Sequence, residues 1–275
     1  MAGKHNGSRR TGSVVRSILA ALLVACALVA GCAGGAVRPP VGTPEPDKFL
    51  FERGTEALNK RRWLVAREYF RELIDTYPQT QVRADAKLGI GDTYLGEGTA
   101  ESYVLAQNEF REFLNFYPTH KRTDYAQFKL GMTHFYQMHS PDRDQSQTRE
   151  AIQELTLFVE RHPDSSLFEE GKQKLREARD RLSQYEYNVG YHYFRQRWYP
   201  GAVDRLKTLL EKDPQFTHRD AAYFYLGECY MKVNQPAVAL PYFDKLVKEF
   251  EQSAYLVEAQ KRVEAIKVEM AKGEK

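Results

Sequence analysis

Three cysteines are too few and too unevenly placed to frame a fold. Cys26 and Cys32 lie near the start and Cys229 stands alone towards the other end, so no structural disulfide is expected. A membrane-crossing run is missing as well: the one sustained apolar stretch, SILAALLVACALVAG, has 15 residues, short of the roughly 20 that a spanning helix needs. There is no HExxH, no cysteine pair at ligand spacing, and no GxSxG, P-loop or GxGxxG. Neither a metal, a cofactor nor an enzymatic activity is expected from such a chain. Excess charge is absent from most of it. The net +3 arises because residues 1–31 hold Lys4, Arg9, Arg10 and Arg16 and no acid, which leaves 36 basic against 37 acidic residues from Cys32 onward. A near-neutral chain has no field to recruit a phosphate backbone, and no nucleic-acid partner is expected. What is present is 275 residues, 42% hydrophobic, without low-complexity tracts, enough for a substantial core.

The segment 1–31 reads as a processing segment. A basic stretch from Lys4 to Arg16 precedes the apolar run, which ends on Leu28-Val29-Ala30-Gly31-Cys32. That ending resembles a bacterial lipobox, and the resemblance implies cleavage before Cys32 and acylation of that cysteine. Val24-Ala25-Cys26 fits the last three lipobox positions too, but would cut the apolar run nearly in half. Residues 32–47, rich in Pro and Gly, read as a flexible tether. By the same resemblance, Ala33 rather than Asp after the cysteine favours an outer-membrane destination on the periplasmic side.

The remainder repeats. Pro78, Pro118 and Pro214 are each followed at i+13 by a glycine, Gly91, Gly131 and Gly227, and at i+8 by an alanine, Ala86, Ala126 and Ala222; Gly171 and Ala259 hold the same small position after Pro163 and Glu251. A second motif of alanine, a large apolar residue four on and another three beyond recurs five times. Its members are Ala66/Phe70/Leu73, Ala106/Phe110/Phe113, Ala151/Leu155/Phe158, Ala202/Leu206/Leu209 and Ala239/Phe243/Leu246. Offsets of four and seven put each trio on one helical face, with a proline closing most helices. The pattern resembles the tetratricopeptide repeat, with Gly54, Gly91, Gly131, Gly190 and Gly227 at its close-contact position. The fold class expected is all-α: a right-handed solenoid of about five tetratricopeptide-like helix pairs, with a long connecting helix and a C-terminal capping helix over about 253–272. Extra residues between glycine and alanine in the second and third copies predict longer loops at Glu97 to Ser102 and at His139 to Gln147.

From Pro163 to Gly190 the usual i+13 step is lengthened to i+27, an addition of about four helical turns. One helix over about Leu167 to Phe194 is therefore expected to join two blocks, residues 48–163 with repeats 1–3 and residues 164–275 with the long helix, repeats 4–5 and cap. Seven histidines offer little to a metal: His134 and His139 are five apart and fall on different faces. Asp142, Asp144 and Ser146 lack the glycine and closing glutamate of a calcium loop. Cys229, within a repeat helix, reads as a small buried thiol. More informative is the crowding of Tyr185, Tyr187, Tyr191, Tyr193, Phe194, Trp198 and Tyr199 with Arg195, Arg197 and Arg205. Some of these rings must pack inside; rings interleaved with arginines also suit protein recognition.

Several local motifs bear a closer resemblance. They are Pro118-Thr119-His120 with Asp124-Tyr125; Asp142-Arg143-Asp144; and Asp180-Arg181-Leu182 leading to Tyr185-Glu186-Tyr187-Asn188-Val189, with Tyr193 and Arg205 beyond. Together with the lipobox and tether they resemble the BamD-type lipoproteins of the outer-membrane β-barrel assembly machinery. The C-terminal copy, with Phe243 and Leu246, is more regular than that family suggests. The resemblance implies a non-enzymatic scaffold whose C-terminal repeats bind a POTRA domain of a BamA-like protein, with Arg205 in an ionic contact and Tyr185, Tyr187 and Arg197 beside it. It implies N-terminal repeats that receive C-terminal segments of unfolded outer-membrane proteins, in a groove drawing on Phe51, Tyr94, Tyr125 and Phe128, and contact with other lipoproteins of the machinery. The only attached group it implies is lipid on Cys32. A tetratricopeptide adaptor of cell-wall or Tol–Pal maintenance is the alternative. A repeat-bearing peptidoglycan enzyme would need a separate catalytic domain that the chain has no residues to build.

Overall fold

The computed structural model describes residues 37–273, and the processing segment, Cys32 and the start of the tether lie outside them. Among the described residues there are eleven helices and no strand. They are α1 (Pro46–Asn59), α2 (Trp63–Thr76), α3 (Arg83–Glu97), α4 (Ala100–Phe116), α5 (Thr123–Phe135), α6 (Ser146–Arg161), α7 (Phe168–Arg195), α8 (Tyr199–Lys212), α9 (Arg219–Lys232), α10 (Pro236–Glu249) and α11 (Leu256–Gly273). Residues up to Pro46 form one unit and those from Asp47 a second, compact one. In the latter each helix packs chiefly on the next in sequence from α2 to α11, as an array built from local pairs requires.

The repeated residues carry that packing. Gly54, Gly91, Gly131, Gly190 and Gly227 lie against Phe70, Phe110, Leu155, Leu206 and Phe243, the large residue four after each repeat alanine; a methyl at any of the five would come within 3.0 Å of that side chain. Those five side chains and the five repeat alanines are essentially without solvent exposure. Glycine is thus demanded by proximity and not by backbone conformation. Phe70 is gripped from both sides, by Gly54 of α1 and Gly89 of α3, so one ring seals two successive repeats.

Successive repeats are also tied by a polar device that the spacing did not reveal. Two positions after Pro78, Pro163 and Glu251 a hydroxyl reaches back to an aspartate in the first turn of the preceding first helix. Thr80 Oγ1 donates to Asp47 (2.7 Å), Ser165 Oγ to Asp124 (2.6 Å) and Ser253 Oγ to Asp220 (2.6 Å). In the remaining short joint Arg122 takes that role towards Asp85, at 3.2 Å. The aspartates also sit where the helix dipole favours an anion.

The long helix is present, with 28 residues, and α11 caps the array by burying Ala259, Val263 and Ile266 against Phe243 and Leu246. One expected loop is absent. No long connection runs from Glu97 to Ser102: α3 continues to Glu97, Gly98 turns with φ +70°, and Thr99 begins a capping box. Thr99 Oγ1 accepts from the Ser102 amide (3.1 Å) and Ser102 Oγ from the Thr99 amide (2.9 Å). The additional residues therefore lengthen the two helices, since a glycine C-cap followed at once by a threonine N-cap needs no further chain. The later loop does exist, over residues 136–145, with buried Gln145 donating to the Ser140 and Arg143 carbonyls.

Candidate protein-binding surfaces

At the joint between α7 and α8 lies a recess of about 470 Å³, lined by Arg149 and Ile152 of α6, Arg179, Leu182 and Glu186 of α7, and Arg205, Leu209 and Lys212 of α8, with Ser183 and Asp213 at one side. Four cations surround an aliphatic floor. Arg205 is 46% exposed and makes an ion pair with Glu186 at 3.2 Å, a weak surface contact by itself. At the recess edge Asp213 accepts from Arg176 Nη1 (2.8 Å) and Ser183 Oγ (2.6 Å). Burial works to raise the Asp213 carboxyl, but those hydrogen bonds outweigh it and hold the group below the usual carboxylate range.

The four residues expected at the partner surface do not converge. Arg205 lines the recess. Tyr187, one residue on from Glu186, turns to another side, where its ring packs 6.0 Å from Tyr191 and 6.4 Å from both Phe216 and Tyr225. Burial pushes its phenol far up, so Tyr187 is a packing residue that braces α7 on α9. Tyr185 is half-buried on α7, and Arg197 is exposed on the α7–α8 turn with φ +62°. The other rim cations, Arg149, Arg179 and Lys212, could not be grouped from the sequence, because they converge only when α6, α7 and α8 pack.

The expected N-terminal groove is likewise redistributed. Phe128 is 3% exposed with its ring 5.4 Å from Phe158, and so belongs to the core. Tyr94 is 5% exposed, with Arg67 stacked 3.7 Å over its face and Arg71 donating to its hydroxyl. Phe51 is half-buried beside Phe70. These three aromatics sit at helix-interior positions whose contacts only the packed repeats reveal. Tyr125 does face a recess, of about 620 Å³, along with Trp63, Tyr103, Tyr136, Arg61, Lys129 and Asp92. Its hydroxyl donates to Asp92 at 2.8 Å. Tyr103 and Tyr136 stack at 6.4 Å, and Tyr136 is 56% exposed.

His134 is buried, with Nδ1 2.8 Å from Gln147 Oε1. Burial, and then the neighbouring Glu228, push the Cys229 thiol up to about 12, which leaves it protonated and inert. Among the described residues no cluster of three or more His, Cys, Asp or Glu could hold a metal ion, and no helix is long and apolar enough to cross a membrane.

Stacked helix pairs with recesses between them define a tetratricopeptide-repeat solenoid, a class whose surfaces bind segments of other proteins. The chain belongs to the outer-membrane lipoprotein family YfiO, which matches residues 44–239. It is 30% identical over 217 residues to the outer membrane protein assembly factor BamD of Caulobacter vibrioides, covering 78% of this chain and 70% of the relative. Proteins of the same name from Xylella fastidiosa (25% identity; 81% of this chain, 78% of the relative) and Vibrio cholerae (24%; 70% and 81%) are also similar. Among solved structures, MamA (16% identity, 75% of this chain, 96% of that one) and the TPR2AB domain of yeast Sti1 (12%, 80% and 98%) overlay with TM-scores of 0.32 and 0.38.

Proposed function

We propose that this chain is a scaffold of outer-membrane β-barrel protein assembly, anchored by lipid on Cys32, facing the periplasm and free of catalytic chemistry. The observation that carries the reading is the cation-rimmed recess around Arg205. It stands where the family resemblance expects the partner contact, and its charge and aliphatic floor suit an acidic, partly apolar edge of a POTRA domain in a BamA-like protein. Because α6 contributes Arg149 and Ile152, this surface draws on both blocks of repeats.

Purification from detergent-solubilised outer membranes tests it. A BamA-like protein should co-purify with the chain, along with other lipoproteins of the machinery. Recovery of cell-wall enzymes without that partner would support the cell-wall adaptor and sink the proposal.

The second recess, at Tyr125, fits the other half of the role. Tyr103 and Tyr136 offer ring surface and Lys129, seated 5.2 Å over the Tyr125 ring, a cation, which suits an unfolded outer-membrane protein segment ending in an aromatic residue and a carboxylate. Tyr136→Ala and Lys129→Glu should each weaken such a peptide about tenfold in fluorescence anisotropy, in line with the loss of one anchor. Equal binding by both variants would remove this recess from the substrate path.

A further inference from the structure

In an array of antiparallel helix pairs, the turns from each first helix to its second helix line one edge, and the rotation between repeats turns that edge gradually along the array. Over repeats 1 and 2 that edge exposes four aliphatic side chains and is, at its start, basic. The α1–α2 turn reads Lys60-Arg61-Arg62-Trp63-Leu64-Val65, with Arg61 in the left-handed region at φ +56°. Leu64 is 63% and Val65 40% exposed, and the matching positions of α4, Val104 and Leu105, are 52% and 43% exposed. Two acids nearby are engaged, Glu56 with Lys60 and Arg53 and Glu97 with Arg67, while Glu101 in the first turn of α4 is exposed. Arg61 and Arg62 are exposed and have no ion pair among the described residues. The Trp63 ring lies on Gly96 of α3, where a methyl would come within 2.7 Å of it. Cations flanking a tryptophan and projecting aliphatic side chains are the composition of a segment that settles at a bilayer surface, with the apolar groups among acyl chains and the guanidinium groups at phosphates.

We infer that this edge rests on the anionic phospholipid surface, so that the chain is held to the bilayer at two places: by lipid on Cys32, on which the inference relies, and by the α1–α2 turn. Chain length allows it. Fifteen residues run from Cys32 to Pro46 and reach at most about 50 Å when extended, while α1, with 14 residues, is about 21 Å long. The consequence is orientation. A single lipid anchor does not fix which edge of a solenoid meets the membrane, and a second contact does.

The chain has two tryptophans, Trp63 and Trp198, which makes the test internal. The acylated full-length protein is reconstituted into vesicles of phosphatidylethanolamine and phosphatidylglycerol, with or without brominated acyl chains. In the Trp198→Phe form, brominated lipid should quench Trp63 emission by at least half; in the Trp63→Phe form, Trp198 should lose less than a tenth. Arg61→Glu with Arg62→Glu, and separately Leu64→Ser with Val65→Ser, should abolish the Trp63 quenching while leaving helical content unchanged. Protein that floats with the vesicles but shows unquenched Trp63, or equal quenching of both indoles, overturns the inference and leaves the lipid anchor standing. Protein that fails to float overturns both.

Discussion

Replacing Arg205 by glutamate should lower affinity for the POTRA domain proposed as its partner by about 100-fold or more, with little change in the stability of the chain. The two effects separate because of where the side chain sits. Arg205 is 46% exposed and its contact with Glu186 is a surface pair, worth at most about 1 kcal/mol to folding. Reversal places a carboxylate beside Glu186 and removes one of the four cations that surround the Ile152, Leu182 and Leu209 floor. Like charges brought together in a closing interface cost several kcal/mol. Every increment of about 1.4 kcal/mol is tenfold in affinity. Titration calorimetry with the isolated partner domain reads the loss, and thermal melts read the fold. A partner variant with its facing acid changed to arginine should restore much of the binding. Affinity within threefold of the original would remove Arg205 from the interface.

The second large effect concerns stability. Asp213→Ala should cost about 2 kcal/mol, because it takes a charged acceptor from Ser183 and from Arg176, which keeps only Asp180 as its ion-pair partner; for a chain of this size that is roughly 4–8 °C in melting temperature. Asp213 occupies the place before the repeat proline where the other repeats carry Tyr77, Tyr117, His162 and Phe250. There a ring packs inward, as Tyr117 does on Phe113 at 5.3 Å. Here the neighbour is the flank of the long helix, and the aspartate instead receives Arg176 and Ser183, about two turns apart on α7. A second tie, from the Thr217 amide to Asp180 at 2.9 Å, lies alongside.

Acid should weaken the same joint. The folded carboxyl of Asp213 titrates below its unfolded value of about 3.9. Its contribution is therefore complete above that value and is lost as pH falls from about 4 through the folded pKa. Denaturant melts of the parent and of Asp213→Asn should differ at neutral pH, with the gap closing progressively as pH falls from about 4 through the folded pKa. A constant gap across that range would mean that the charge contributes nothing.

The repeat itself was legible in the sequence, since glycine, alanine and large apolar residues recur at fixed offsets and each offset answers to one contact. Gly54 of one helix and Phe70 of the next meet because a close helix pair has room for a ring only where no methyl stands opposite. The length of α7 was legible for the same reason: an insertion of whole turns without a breaking residue continues a helix. The loop at Glu97 was misjudged because spacing counts residues and does not say whether they lengthen a helix or a turn; Gly98 and Thr99 decided that locally.

Function was less legible. Tyr94, Tyr125 and Phe128 look alike in a list of aromatic residues, yet Phe128 is sealed against Phe158, Tyr94 is clasped by two arginines, and Tyr125 faces a recess. Position on a helix does not state which neighbour will cover it. The sequence by itself determined a helical-repeat array with one doubled helix, because backbone periodicity and close approach are local properties of the chain. Tertiary structure alone decided the surfaces. Arg149, Arg179 and Arg205 lie on three helices and become one cationic rim only where those helices pack, and Leu64, Val65, Val104 and Leu105 are exposed because no helix among the described residues covers that edge.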